Sequence, residues 1–148
     1  MPGVASHVTP APFLELPSWR ALAREFEAGD MPHCRAVSAP AAWHGALLEA
    51  LAGLYLSGRI DGVPAAEGHP DLLVAGEAGK APNIEACRSL IQDLALKPVL
   101  AVRRLGVVMA ADRLLLPAAN SLLKLAEEPP AHACILFLLE GSALLPTL

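Results

Sequence analysis

The sequence has 148 residues, of which 11 are basic, 15 are acidic and 54% are hydrophobic, with a formal net charge of −4. A chain of this length can bury a core of its own, so no disulfide or metal staple is needed for folding. The net negative charge, without a dense basic block, disfavours nucleic-acid binding by this chain alone. The apolar runs are too short to span a bilayer, and the segment MPGVASHVTPAPF lacks the pattern of a secretory signal.

The first half of the chain predicts a leader followed by a helix, a strand and a second helix. Residues 1–17 hold four prolines and are expected to form a loose, flexible leader. Ser18 is suited to cap the first helix, CRAVS (34–38) is typical of a buried strand, and 42–57 has helical spacing. The apolar residues expected on the inner faces of these helices are Trp19, Leu22, Ala23 and Phe26, then Leu47, Leu48, Leu51, Leu54 and Tyr55.

The second half alternates strands with helices. LLVA (72–75), LGVVM (105–109) and CILFLL (134–139) are predicted strands that are apolar on both faces. Helices are predicted over 83–94, with an asparagine cap, and over 117–127, with a proline in the first turn. This alternation predicts an α/β fold in which helices cover both faces of a parallel sheet, giving three layers.

The turn after each strand is where a ligand would bind in such a sheet. A phosphate-binding loop after CRAVS would need glycines, a lysine for the phosphate charge and a Ser or Thr hydroxyl for magnesium. Gly45 stands where the lysine belongs and Ala46 where the hydroxyl belongs, and the other departures are at Ala39, Pro40, Ala41 or Ala42, and His44. We interpret this loop as correctly placed but without the chemistry, and Trp43 within it either excludes phosphate or anchors the core.

A second glycine–lysine pair occurs in GEAGKAP. The phosphate-loop pattern would require glycine where Val74 stands and Ser or Thr where Ala81 stands. We therefore predict a solvent-exposed turn here.

Histidine and cysteine side chains follow no ligand pattern. His33, His44, His69 and His132 are scattered, and the three cysteines, Cys34, Cys87 and Cys134, are widely spaced. We expect surface or hydrogen-bonded histidines, reduced thiols that act as small core residues, and no metal site.

Several segments together resemble, in order, the N-terminal AAA+ module of bacterial DNA polymerase III clamp-loader subunits, above all the delta-prime subunit and its gamma/tau relatives. The resemblance covers residues 30–148 and places an AAA+-like module over 18–148. The segments that carry it are DMPHCRAVSAPAAWHGALLEALAGLYLSGR, HPDLLV, NIEACRSLIQDLALKP and LGVVMAADRLLLPAANSLLKLAEEPPAHACILFLLEGSALLPTL.

The resemblance also implies a degenerate nucleotide site. The magnesium-binding and water-activating acids of the family fall on Met109 and Ala110, and Asp112 alone of that acidic cluster is kept. The polar sensor residue falls on Leu138 or Leu139. Hydrolysis needs charge stabilisation at the phosphates and a positioned water, so we expect no ATPase activity, no catalytic residue and no cofactor.

Delta-prime subunits support the working subunits of the clamp loader without turning over nucleotide. The resemblance therefore implies a non-catalytic, cytoplasmic, stator-like subunit that acts in DNA replication, with gamma/tau and delta as partners and the sliding clamp and primed DNA as indirect ones. The family's arginine-bearing element, lid and collar would follow Leu148. Without the collar, the isolated chain is expected to be a monomer or a weak dimer.

The last predicted helix offers a candidate partner interface at Asn120, Lys124 and Glu127. The simpler interpretation is a local ion pair of Lys124 with Glu127 or Glu128, and the functional one is a polar face that meets a neighbouring subunit or DNA. Two other functions stay open: an AAA+ protein that still binds nucleotide through an altered loop, and an orphan protein-interaction domain of the same fold.

Overall fold

The computed structural model describes residues 12–65 and 67–141, which form four strands and four α-helices. The strands are β1 (Cys34–Ser38), β2 (Leu72–Ala75), β3 (Arg104–Val108) and β4 (Ala133–Leu139). The helices are α1 (Pro17–Glu27), α2 (His44–Ser57), α3 (Ile84–Leu94) and α4 (Leu116–Glu127). Single turns of 3₁₀ helix occupy Pro12–Glu15, Ala41–Trp43 and Ala111–Arg113.

The sheet is parallel throughout, with strand order β1-β4-β3-β2. Every residue of β3 and β4 is buried, because these central strands have neighbours on both sides and helices on both faces. β1 lies at the edge, and its residues are half-buried or exposed. The expectation that CRAVS is a buried strand is therefore wrong, although its bounds are confirmed.

Alternate residues of the central strands point to two separate cores. On one face Leu105, Val107 and Leu136 pack with α1 and α2. On the other face Val108 and Ile135 pack with α3 and α4. The sheet thus separates two helical layers, as the period of two along a strand requires, and the predicted three-layer α/β fold is confirmed.

Two helix ends have the capping residue that the sequence predicts, and one does not. The Asn83 side chain accepts a hydrogen bond from the backbone N–H of Ala86 at 2.8 Å, which confirms the predicted cap of α3. Gly58, with φ of 67°, ends α2 in the left-handed conformation that glycine adopts without strain. Ser18 does not cap α1, because the helix already begins at Pro17 and Leu16 precedes it.

The predicted leader divides into two parts. Residues 1–11 lie outside the described residues, whereas the 3₁₀ turn Pro12–Glu15 brings the ring of Phe13 into the core at 5.7 Å from that of Trp19. The boundary at residue 18 is therefore too late, because a large aromatic side chain before it is buried. No helix in the described ranges is long and apolar enough to cross a membrane.

Candidate functional site at the carboxyl edge of the sheet

The turn after β1 is held in place by His44, the first residue of α2. Its ring is 1% exposed, and Nε2 lies 2.8 Å from the carbonyl oxygen of Ala39 and 3.1 Å from that of Leu139. Because carbonyl oxygens only accept hydrogen bonds, Nε2 carries the proton and donates to both. His44 therefore links the carboxyl ends of β1 and β4 across the position where a phosphate loop would open.

The other nitrogen of this imidazole, Nδ1, is buried without a hydrogen-bond partner among the described residues. The histidine thus acts as a structural donor in the loop. The prediction of a hydrogen-bonded histidine is confirmed at this position.

The segment after β3 is apolar where the resemblance places acids. Met109 and Ala110 are 3% and 2% exposed, and Ala110 has a φ of 50°, which ends the strand in a left-handed turn. Asp112, the one acid kept, accepts from the backbone N–H groups of Glu140 and Gly141 at 3.3 and 3.4 Å. Its Oδ2 is therefore engaged by the protein's own backbone.

Further contacts close the same edge. The hydroxyl of Ser38, the last residue of β1, donates to the carbonyl oxygen of Gly141 at 2.9 Å. Arg113 lies 3.7 Å from the carboxylate of Glu140 and also donates to the carbonyl of Gly79 at 3.2 Å. The carboxyl ends of β1, β3 and β4 are therefore joined to one another by groups of this chain.

The remaining loop and sensor positions carry small or apolar side chains. Gly45 and Ala46 are exposed in the first turn of α2, and neither supplies a charge or a hydroxyl. Leu138 and Leu139, at the expected sensor position, are buried. Within the described ranges no group of three or more His, Cys, Asp or Glu residues could hold a metal ion.

An apolar groove of about 410 Å³ lies beside this edge, between β1, α1 and α2. Trp43 is half-buried, packs against the core and lines the groove, with its ring 6.1 Å from that of Phe13. Trp43 thus serves as a core anchor, one of its two predicted roles, and it leaves one side open to the groove.

The GEAGKAP segment forms the predicted exposed turn. Glu77 and Lys80 exchange two backbone hydrogen bonds of 2.9 and 3.0 Å, and the side chain of Lys80 is exposed. Gly79 has a φ of 82°, which a turn of this kind requires. The prediction that this glycine–lysine pair is a turn is confirmed.

The cysteines lie in or beside the two cores and are all free. Cys87 and Cys134 are buried and Cys34 is half-buried. Burial raises the pKa of each thiol above its usual value, so the reactive thiolate is disfavoured. The prediction of small core residues is confirmed for the two buried thiols.

The polar face predicted on α4 is present as an exposed surface. Asn120, Lys124 and Glu127 are all exposed, and the apolar side chains of Leu115 and Leu116, at the start of the same helix, are 77% and 63% exposed. In the described part of the chain, Lys124 forms no ion pair, so the simpler local interpretation is wrong. The structure brings these three residues to one surface of the helix without assigning them a partner.

Sequence reasoning missed the role of His44 and all of a second polar cluster around Asp71 and Arg104. Asp71 is 0% exposed and directly precedes β2, and Arg104 begins β3. A signal for them exists, because each is a charged residue at the immediate start of an apolar strand, where an unpaired charge would be costly to bury.

This chain is similar to DNA polymerase III subunits. The model of the family described as "DNA polymerase III, delta subunit" matches residues 64–148. The crystal structure of a DNA polymerase III gamma subunit-related protein from Thermotoga maritima superposes with a TM-score of 0.68 at 23% identity, covering 87% of this chain and 42% of that chain. This chain thus spans less than half the length of that protein, and the likeness supports the fold. No curated protein matches the sequence.

Proposed function

The chain belongs to the DNA polymerase III delta subunit family, and from this membership we propose that it is a delta-prime-like subunit that supports clamp loading without hydrolysing ATP. It is a clamp-loader-related AAA+ module of the DNA polymerase III system. The delta-prime-like role without ATP hydrolysis is the part that we propose. Its place of action would be the cytoplasm, and its partners would be the gamma/tau and delta subunits.

The observation that carries the proposal is the pair of hydrogen bonds from His44. A phosphate held between β1 and α2 would need free backbone N–H groups and a nearby cation. Instead, the imidazole of His44 fills the turn and donates to the carbonyls of Ala39 and Leu139. A nucleotide would have to displace a buried ring that joins two strands.

The apolar residues after β3 support the same proposal. A carboxylate that binds magnesium or activates water has no counterpart at Met109 or Ala110, both of which are buried. Oδ2 of Asp112 accepts from the backbone of Glu140 and Gly141, and its Oδ1 is buried without a hydrogen-bond partner among the described residues. A charge-assisted hydrogen bond in a nucleotide site ordinarily contributes about 1.5–3 kcal/mol, so a loop without several of them has no useful affinity.

Isothermal titration calorimetry with ATP and with ADP, each with and without magnesium, tests the nucleotide half of the proposal. We expect no measurable heat of binding, whereas a gamma/tau subunit under the same conditions serves as the positive control. A micromolar dissociation constant for this chain would overturn the proposal. Capture of gamma/tau and delta by the tagged protein tests the other half, and failure to capture either would favour the orphan interaction domain.

A second candidate function, nucleotide binding through an altered loop, is favoured by one observation. The groove beside β1 is lined by Phe13, Trp19 and Trp43, and its volume of about 410 Å³ could admit an aromatic base. The same titration separates the two candidates. Adenosine, which lacks phosphate, is the informative extra ligand, because it would bind a base-stacking groove and ignore the closed phosphate turn.

A further inference from the structure

A run of exposed aliphatic side chains lies between α3 and β3, in the segment 95–103, which we name the α3–β3 loop. Four of its residues are 61% to 82% exposed: Leu96, Val99, Leu100 and Val102. Single exposed aliphatics are ordinary on a protein surface, whereas four within seven consecutive residues form a patch of the kind that marks an interaction site.

The backbone of this loop is held by the buried carboxylate of Asp71. One carboxylate oxygen accepts from the N–H of Val99 at 2.7 Å, and the other accepts from those of Leu100 and Ala101, both at 2.7 Å. Three backbone donors thus converge on one side chain. The exposed side chains of Val99 and Leu100 are held outward, since the loop cannot turn them toward the core without breaking these bonds.

Arg104 binds the same carboxylate, and we name Asp71, Arg104 and their hydrogen bonds the anchor of the loop. Its Nε donates to Asp71 at 3.2 Å, while its two terminal nitrogens donate to the carbonyls of Asp93 and Pro70 at 2.6 and 3.0 Å. The anchor therefore ties the α3–β3 loop to the end of α3 and the start of β2. A loop fixed in this way loses little conformational entropy on binding, so a partner would meet a preorganised surface.

A small polar pocket continues this surface. It has a volume of about 220 Å³, and its lining includes Val102, Arg103, His33 and His132. Val102 belongs to both the loop and the pocket. The guanidinium of Arg103 lies 5.4 Å from the centre of the Phe26 ring and has no ion pair within the described ranges of the chain.

Each histidine in the pocket has one ring nitrogen that forms no hydrogen bond with a described residue. His33 uses Nδ1 to reach the carbonyl oxygen of Ala133 at 2.8 Å, and His132 uses Nε2 to reach that of Leu94 at 3.1 Å. Each engaged nitrogen faces a carbonyl and therefore carries its proton. No carboxylate among the described residues lines the pocket, so a cation and two imidazoles are its polar side chains.

We propose that the α3–β3 loop and this pocket together form a docking surface for an extended segment of another protein, in which a carboxylate stands next to bulky apolar side chains. The carboxylate pairs with Arg103 in the pocket, and the apolar side chains cover Leu100 and Val102. Charge complementarity selects this occupant, because the pocket offers a guanidinium without a carboxylate partner in the described part of the chain. Besides the buried Arg104, the loop and the pocket hold two cations, Arg103 and the exposed Lys97, which is too few for nucleic acid, since nucleic acid is bound by many cations.

This surface is distinct from the candidate functional site. It lies at the amino ends of β2 and β3, whereas the closed turn of His44 lies at the carboxyl ends of β1 and β4. The proposal therefore goes beyond the clamp-loader role, and its failure would leave that role untouched.

Fluorescence anisotropy with labelled peptides tests the docking surface. The probe is a short peptide in which aspartates alternate with leucine and phenylalanine, compared with one that carries lysines in place of the aspartates and one that carries serines in place of the apolar residues. We expect saturable binding of the first peptide, with a dissociation constant below about 1 mM. The other two peptides are expected to bind at least about tenfold more weakly.

Variants of the protein locate the binding. Arg103→Gln and the double change Leu100→Ser with Val102→Ser are each expected to weaken the aspartate peptide about tenfold or more. Arg88→Gln, at an exposed arginine on α3, is the matched control and should bind as the parent protein does. Because the substituted side chains are exposed or half-buried, the melting temperatures of the variants should stay close to that of the parent. An unchanged melting temperature would exclude misfolding as the cause of weaker peptide binding.

Four results would overturn the proposal. The first is no saturable binding of the aspartate peptide, and the second is equal binding of the lysine peptide. The third is binding that is insensitive to both the arginine and the aliphatic substitutions. The fourth is a stable dimer of the parent chain that the double change Leu100→Ser with Val102→Ser dissociates, since the surface would then be an interface between copies of this protein.

Discussion

Asp71 and Arg104 form a buried ion pair, with Oδ1 of the aspartate 3.2 Å from Nε of the arginine, at the amino ends of neighbouring strands. Burial by itself raises the pKa of Asp71, but hydrogen bonds from the N–H groups of Ala101, Val99 and Leu100 and from Arg104 outweigh it and hold that pKa well below the usual range. Since both side chains are buried, removal of one would leave the other uncompensated.

The pH dependence of stability follows from this lowered pKa. Between the pKa of an unfolded aspartate, about 3.9, and the lower folded value, the unfolded chain binds a proton that the folded chain does not, so the free energy of unfolding falls as the pH falls. We expect Asp71 to contribute a loss approaching about 1.4 kcal/mol per pH unit in that window, and almost none above about pH 5. Urea denaturation from neutral pH down to roughly pH 2.5 measures it.

The variant Asp71→Asn sharpens this test. It should lose about 3–5 kcal/mol at neutral pH, because the charge of Arg104 stays buried without its partner, and its acid limb should be flatter. Asp30→Asn, at an exposed aspartate, should change neither quantity by more than about 0.5 kcal/mol. An acid limb as steep in Asp71→Asn as in the parent would contradict the assignment.

His44→Ala should destabilise the protein by about 2–4 kcal/mol, as the substitution removes two hydrogen bonds and leaves a cavity in the turn after β1. The neighbouring Gly45→Ala is the control. A Cβ there meets no atom within 4 Å, so this change should be neutral or stabilising by up to about 1 kcal/mol. Chemical denaturation compares the two, and a loss below about 0.5 kcal/mol for His44→Ala would show that the turn does not depend on the imidazole.

Restoring the loop residues alone should not create an ATPase. In the double variant Gly45→Lys with Ala46→Thr, a lysine and a hydroxyl return to the start of α2, but Met109 and Ala110 still supply no carboxylate for magnesium or water. We expect phosphate release at the background rate of the parent protein. Turnover above that background, measured with a phosphate sensor, would mean that the acids are supplied from elsewhere in the chain.

Substitutions on the exposed face of α4 should separate association from stability. Asn120→Ala and Lys124→Ala are each expected to change the free energy of unfolding by less than about 0.5 kcal/mol, because both side chains are exposed. Both should weaken binding of the protein to gamma/tau or delta in surface plasmon resonance, whereas Glu85→Ala on α3 should not. A marked drop in melting temperature with partner binding intact would instead assign these residues to the fold.

The isolated chain should be a monomer or a weak dimer at micromolar concentration. Among the described residues, the most exposed aliphatic side chains occur at separate edges of the sheet, Leu115 and Leu116 after β3 and the α3–β3 loop before it. Neither cluster alone approaches the roughly 1,600 Å² that a stable interface buries. Light scattering measures the mass, and a stable pentamer or hexamer would place the ring contacts within this module.

Local chemistry in the sequence was enough to predict most of the elements. The asparagine at 83 predicted the start of α3, the alternation of apolar strands and helices predicted a parallel sheet, and β2 was predicted with the bounds 72–75 that the structure has. These features depend on residues a few positions apart, so they can be read along the chain. The residue types in the loop after β1, with a glycine at 45 and an alanine at 46, were equally visible, because they are read directly from the sequence.

Tertiary structure decided the strand order and the hydrogen bonds between residues that are far apart in the sequence. Apolar content alone did not distinguish the edge strand β1 from the central strands, since the sequence of a strand does not contain its neighbours. His44 meets a carbonyl 95 positions away at Leu139, and Asp71 meets Arg104 across 33 positions. Such pairs form only when the sheet brings distant segments together, because a buried polar group takes its partner from whatever the fold places beside it.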